Sequence, residues 1–359
     1  MKIILFIVTL LAITVLSAAD FYGSARMAYW YNLQNKDFTG SEDRLLLDNH
    51  LMGTSRFGAK FKGDDYTGRV EFSLSRSGVK LRQIWGEYDL NYLKILVGQT
   101  YTGFFDLPAQ AAPLIDGSEN LMQGYGLMYD SRQSMIKFTF QNELYLIFME
   151  PRLVDPKDLA TALAIDKTEI VSALIPKVNI GYRFNFNNLM LHPTFGINMS
   201  KYNKDFTGGL DDQVLAYAIA LSLKYNADKL SLLTQVSYGQ NVKDYGMASP
   251  AVISSATSID NEVENATVMG GFLELTYQLL AKKYLTGGVG YFSGDRADLD
   301  NPDTAMTGYL QAKIYLHKFM FITPEVGIID EMEDGMGNSQ GSQTYFGINF
   351  QADFEMNFK

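Results

Sequence analysis

Apolar and polar residues alternate with a period of two along most of this 359-residue chain, the spacing of strands whose two faces meet different surroundings. The C-terminal stretch shows it best. Phe346, Ile348, Phe350, Ala352, Phe354, Met356 and Phe358 form one face; Gly347, Asn349, Gln351, Asp353, Glu355 and Asn357 form the other. Such a run is longer than a globular strand needs and suits a tilted membrane-crossing strand with a rim. The pattern recurs in pairs across very short connections: 177–186 with 189–200, 215–225 with 230–240, 268–279 with 284–292, and 306–316 with 319–329. Earlier strands fall near 21–31, 52–62, 65–75, 80–90, 92–100, 134–141 and 143–150. The polar segments 201–212, 241–266, 293–305 and 330–343 separate the later pairs. This predicts an all-β fold, a transmembrane antiparallel barrel of about sixteen strands with short periplasmic turns and long external loops. The weak alternation at 125–129 would make the count odd and is read as loop.

A soluble β-sandwich also alternates, but its strands are generally shorter and rarely form one unit of this size. In lipid an open sheet edge has no hydrogen-bond partner, so the sheet must close. The N-terminus fits this setting. Lys2, an apolar stretch over 3–16 and the small residues Ser17, Ala18 and Ala19 predict a secretory leader over 1–19, with the barrel spanning 20–359. A retained membrane helix would be short. With Cys at 0, neither a disulfide framework nor a thiolate metal site is available, and no lipid anchor can attach at a cysteine. A formal net charge of −10 makes nucleic acid a poor partner, because phosphate neutralisation needs clustered Lys and Arg. No cofactor is expected.

Parity assigns the charges. An Arg or Lys facing midplane lipid costs about 2–4 kcal/mol, so each should point into the lumen. That rule places Arg26, Arg56, Lys60, Arg69, Arg82, Lys137, Lys177 and Arg183 inside, all on the first half of the barrel. Later strands offer mainly Ser, Thr, Gln, Asn and Gly inward, with Glu274 and Glu325 as exceptions. A basic lining favours anions; the plainer alternative is that these cations pair with lumen carboxylates such as Glu71, Glu87 and Asp106. The longest connection, 101–133, follows the fifth strand. Its Phe104, Phe105, Leu107, Leu114, Ile115, Leu121 and Met122 are too apolar for a solvated loop, so it should fold into the barrel. Its carboxylates Asp106, Asp116 and Glu119 would then face the basic wall across a constriction.

Other chemistry finds little support in the residues. A barrel enzyme of protease or lipase type needs a nucleophile beside His or paired carboxylates. Of three histidines, His50 lies near a loop end, His317 in a turn, and His192 points inward beside Thr194 and Asn198, which make no triad. The clusters Asp295–Asp303 and Asp330–Asp334 follow no calcium-loop spacing and read as solvated external loops. An adhesin or scaffold barrel remains a further alternative; segment 151–173 carries apolar positions that suit a short helix or a contact between subunits.

Four stretches of the N-terminal third, FYGSARMAYWY, SRFGAKFKG, KLRQIWGEYDL and ILVGQTYTGFF, resemble the DcaP-like family of trimeric outer-membrane porins. The resemblance covers 21 to about 150; beyond that it rests on strand rhythm. It implies sixteen strands, a homotrimer in the bacterial outer membrane, an inward loop after the fifth strand, and passage of small anionic solutes, often dicarboxylates. By motif, Arg26, Arg56 and Arg82 fall on the family's inward basic positions. The chain departs from the best-known branch in starting its first strand at Phe21 without a coiled-coil extension, and Lys359 follows the final aromatic Phe358.

Overall fold

The computed structural model describes residues 19–75, 78–111, 121–153, 170–203, 213–248, 251–259 and 262–357. The expected leader, the carboxylates Asp116 and Glu119, most of the apolar segment 151–173 and the last two residues lie outside them, wholly or nearly so.

Sixteen strands close into one antiparallel barrel. Strand β1 (Ala19–Gln34) is followed by β2, which runs in two pieces, Arg44–Leu51 and Arg56–Lys62. Next come β3 (Tyr66–Ser75), β4 (Gly78–Asp89), β5 (Leu93–Tyr101), β6 (Arg132–Phe140) and β7 (Leu144–Met149). Strand β8 is broken into Val171–Ala173, Lys177–Tyr182 and Phe184–Phe186. Then follow β9 (Leu189–Tyr202), β10 (Gln213–Ala227), β11 (Leu230–Gln240) and β12 (Thr267–Leu280). The circuit ends with β13 (Lys283–Asp295), β14 (Asp303–His317), β15 (Met320–Asp330) and β16 (Ser342–Asn357). Closure comes from β1 against β16, in unbroken register from Asp20↔Asn357 to Gln34↔Gln343.

The second strand begins at Arg44 rather than near 52, because Leu45, Leu46 and Leu47 blur the alternation there. Its break at 52–55 is bridged by side chain as well as backbone. Met52 N–H donates to Arg26 O, and Ser55 Oγ accepts the Arg26 N–H that the ladder would otherwise satisfy. The weak pattern at 125–129 forms only isolated bridges, Gln123↔Leu127 and Asp130↔Met247. The short turns at one end carry left-handed residues, Asn91, Glu143, Asn187, Asp228 and Lys282, as tight hairpin connections require.

The outer surface is apolar all round, with Leu, Ile and Val between two bands of rings. Tyr66, Tyr88, Tyr92, Phe186 and Phe354 stand near the turn end; Tyr29, Tyr31, Tyr238, Tyr291 and Phe346 stand toward the loops. Aromatic girdles flanking an apolar band are what a barrel presents to a bilayer. Among the described residues no helix is long and apolar enough to cross a membrane. The packed core therefore lies inside the barrel. Phe104, Met122, Leu127 and Met128 from the loop L3 (102–131), with Tyr245 and Val242 from L6 (241–266), bury themselves against Trp30, Phe272, Phe292 and Tyr345 of the wall.

Candidate solute pathway

The basic wall is organised around one carboxylate. Glu71 on β3 is fully buried and accepts hydrogen bonds from Tyr22 Oη (2.8 Å), Arg69 Nη2 (2.6 Å), Arg82 Nε (2.9 Å) and Gln83 Nε2 (3.1 Å), with Arg56 Nη1 at 3.9 Å. Two neighbours on β4 can reach it together because of a β-bulge. Glu71 pairs with Gln83 and Phe72 with Leu81, so Arg82 is the extra residue and turns inward beside Gln83. Tyr101 Oη then accepts from both Arg82 Nη2 and Arg132 Nη1, each at 3.3 Å. Arg56, Arg69 and Arg82 thus converge on one acid, and Arg26 stands beside them, its Nε directed at Ser24 Oγ.

Loop L3 occupies the other side of the lumen, held by a series of polar contacts. Ala109 N–H donates to Glu274 on β12 (2.5 Å) and Ala111 N–H to Glu325 on β15 (2.8 Å). Ala109 O accepts from Gln311 and Ala111 O from Asn349. Gln110 reaches Thr307 and Tyr345, and Met128 N–H donates to Gln235. The two acids that stood out on the late strands are therefore anchors for a loop backbone. L6 turns inward as well: Ala248 N–H bonds Tyr129 O and Ala251 N–H bonds Gly124 O, pinning the returning limb of L3.

Between wall and loop lies a cavity of about 1010 Å³. Its charged lining consists of six cations, Arg26, Arg56, Lys80, Arg82, Arg132 and Lys313, with no Asp or Glu among the described residues. Lys80, Arg132 and Lys313 are additions that sequence parity did not select. Lys80 and Lys313 do share the parity of inward neighbours, whereas Arg132 sits at a strand end where the chain is already turning into L3.

The other basic residues take different positions. Lys60 and Arg69 stand with Tyr22 in a smaller recess nearer the turn end, both cations over its ring. Lys137 lies over the Tyr145 ring and Arg183 over Phe105. Lys177 is inward but closed off. It is buried, paired with the fully buried Asp130 of L3 at 2.8 Å, and covered by the Tyr245 ring at 4.1 Å.

Asp106 overturns one expectation. It does not face the basic wall; its Oδ2 bonds His192 Nδ1 at 2.6 Å on the opposite side, and His192 Nε2 meets Tyr145 Oη at 2.9 Å. Parity placed only Thr194 and Asn198 beside His192, because neither a loop residue nor the β7 partner is visible from one strand's spacing. The string of carboxylate, imidazole and hydroxyl is buried, with His192 and Tyr145 closed to solvent, and it ties the descending limb of L3 to the wall. Outside, in L8 (331–341), Glu331 accepts from Tyr125 Oη at 3.1 Å, and burial pushes its carboxyl above the usual carboxylate range.

No protein-family model matches this sequence, and no curated protein does. Solved structures match over nearly the whole chain. The outer-membrane channel DcaP of Acinetobacter baumannii is 16% identical, with 94% of this chain and 97% of that one covered at a TM-score of 0.69. OmpT of Vibrio cholerae in a trimer form is 16% identical, covering 94% and 99% at 0.58. An anion-selective porin from Comamonas acidovorans is 12% identical, covering 94% and 99% at 0.57. At such identities the likeness is one of fold, and the fold of this chain is that of the outer-membrane porins.

Proposed function

We propose that the chain is a passive outer-membrane porin, a homotrimer that admits small anionic solutes, carboxylates among them. The observation that carries this is the cavity lining: six cations and no acid among the described residues, at the level where L3 narrows the lumen. Glu71 offsets only one of these charges, and from behind the guanidinium groups it positions them. A guanidinium grips a carboxylate with two parallel hydrogen bonds, which suits this wall to carboxylates. Support for the membrane and the assembly comes from the apolar girdled exterior, from the leader expected at the N-terminus, and from an outer-membrane protein of like fold known in a trimer form. The buried Asp106–His192–Tyr145 string offers a substrate no open face, so its role here is structural.

The test is the reversal potential of the purified protein in a planar bilayer under a potassium chloride gradient. An anion preference is expected at physiological salt, where the acidic external loops are screened beyond about 8 Å. Arg56→Ser with Arg82→Ser should move the potential toward cations. A cation-preferring unmodified channel refutes the reading. Mass measurement in mild detergent tests the trimer, and a monomer at all concentrations refutes it.

A further inference from the structure

The cavity is more than basic. Along 109–111 loop L3 turns its polar atoms toward the barrel wall. The N–H and C=O of Ala109 and of Ala111 are bonded to Glu274, Gln311, Glu325 and Asn349, and the Gln110 side chain is buried among Thr307 and Tyr345. Over 107–111 the cavity is lined by Leu107, Pro108, Ala109, Gln110 and Ala111, and the one polar side chain among them, Gln110, is already engaged by Thr307, Tyr345 and the Met122 N–H. Leu121 joins them from the far end of the loop. Its φ of 53°, followed by 56° at Met122, is a left-handed backbone that bulky residues rarely adopt, and there it directs a leucine into a polar channel. A fully hydrated ion gains nothing from such a surface. A solute with an apolar body would have it removed from water while its charge meets the arginines, the usual division of labour in a small-molecule site.

We infer that this cavity selects carboxylates with an apolar body, aromatic monocarboxylates of the benzoate type, over compact dianions. The inference rests on the anion-preferring reading above and narrows it.

The experiment compares how acetate, benzoate and succinate block the chloride current of the purified full chain in planar bilayers. Acetate and benzoate carry the same charge, so their ratio reports the ring. Benzoate should block about tenfold more strongly than acetate, the yield of removing roughly 60 Å² of ring surface from water, and more strongly than succinate. In Leu121→Asn and in Leu107→Asn that ratio should fall toward one; heat-shifted gel migration shows that each variant barrel is folded. A benzoate block no stronger than that of acetate or succinate overturns the inference, as does a ratio unchanged in both folded variants. Either result leaves anion preference standing, whereas a cation-selective reversal potential of the unmodified channel removes that preference itself.

Discussion

Glu71→Gln removes the single acid at the centre of the arginine wall, and the consequences for stability and for selectivity have opposite signs. Deleting one partner of a buried ion pair costs about 3–5 kcal/mol when the remaining charge stays out of water. Here the remaining charges differ in access. The Arg69 and Arg56 side chains keep 23% and 24% of their surface open, so lumen water can solvate them; Arg82, at 8%, has little such recourse. Glutamine also keeps one acceptor for Tyr22 or Arg82. The expected loss is therefore about 2–3 kcal/mol, below the fully buried figure. In a barrel of this length that corresponds to a fall of roughly 4 °C in the unfolding midpoint, read as the temperature at which gel migration shifts from folded to unfolded. Meanwhile the lumen gains one net positive charge, so the reversal potential should move further toward anions while carboxylate block weakens, because the guanidinium groups lose their fixed orientation. Gln83→Ala is the control, giving up one neutral hydrogen bond at a cost of about 1 kcal/mol with no change of charge. A Glu71→Gln barrel with unaltered midpoint and unaltered reversal potential would refute the view that this acid clamps the wall.

Other consequences follow from the loop contacts. Lys177→Met strands the buried Asp130 charge and should cost about 3–5 kcal/mol, most of it recovered in the double variant with Asp130→Leu; equal losses in both, by denaturant unfolding, would mean the pair is not coupled. Asp106→Asn weakens the tie to His192 and should increase open-channel current noise without changing the heat-shifted migration; a quiet current would mean the limb is held elsewhere. The Glu331 carboxyl is pH-linked through its burial, which outweighs the Tyr125 hydrogen bond that favours its ionised form: a carboxyl so raised contributes stability that is fully present below the ordinary carboxylate pKa and is lost as pH rises through the raised one. L8 should accordingly resist proteolysis better at pH 4 than at pH 8, and Glu331→Gln should abolish the difference.

The barrel was legible because period-two alternation is a property of each strand alone, and a one-residue slip would have put charges into lipid. Arg26, Arg56 and Arg69 needed nothing more. Parity also placed Arg82, but not Gln83 beside it, because the bulge that turns both inward breaks the pattern on which parity relies. The convergence on Glu71 was only partly visible: the sequence offered the acid as one partner among several, and register with β4 makes it the hub. Asp106 was misassigned because a loop residue has no parity, and its direction is set by His192 three strands beyond β6. The inward turn of L6 was hidden for a related reason. Its Tyr245 and Val242 look like scattered apolar residues of an external segment until L3 supplies the surface they cover. The arrangement is thus legible where one strand decides it and hidden where two distant segments decide it together.

Glu274 and Glu325 carry the last prediction, because they explain why acids persist among the mainly uncharged inward residues of the later strands. Each accepts a backbone N–H of L3, from Ala109 and Ala111, and each also receives a tyrosine hydroxyl, from Tyr309 and from Tyr345 respectively. Replacing both by alanine leaves four donors without these acceptors, at about 1–3 kcal/mol for each that water cannot reach. Much of that cost can be relieved in one way only, by letting the 109–111 segment leave the wall for the lumen water. Conductance should then change and the block by carboxylates should weaken, since the face that lines the cavity is no longer held in place. Replacing both by glutamine keeps an oxygen acceptor at each position and should preserve most of the parent behaviour. Deleting 109–118 sets the outer limit, with a larger single-channel conductance in a barrel that still shifts on heating. If the double alanine variant is folded and conducts and blocks like the parent, these two carboxylates do not hold the loop, and the constriction is maintained by its apolar packing against Trp30, Phe292 and Tyr345 instead.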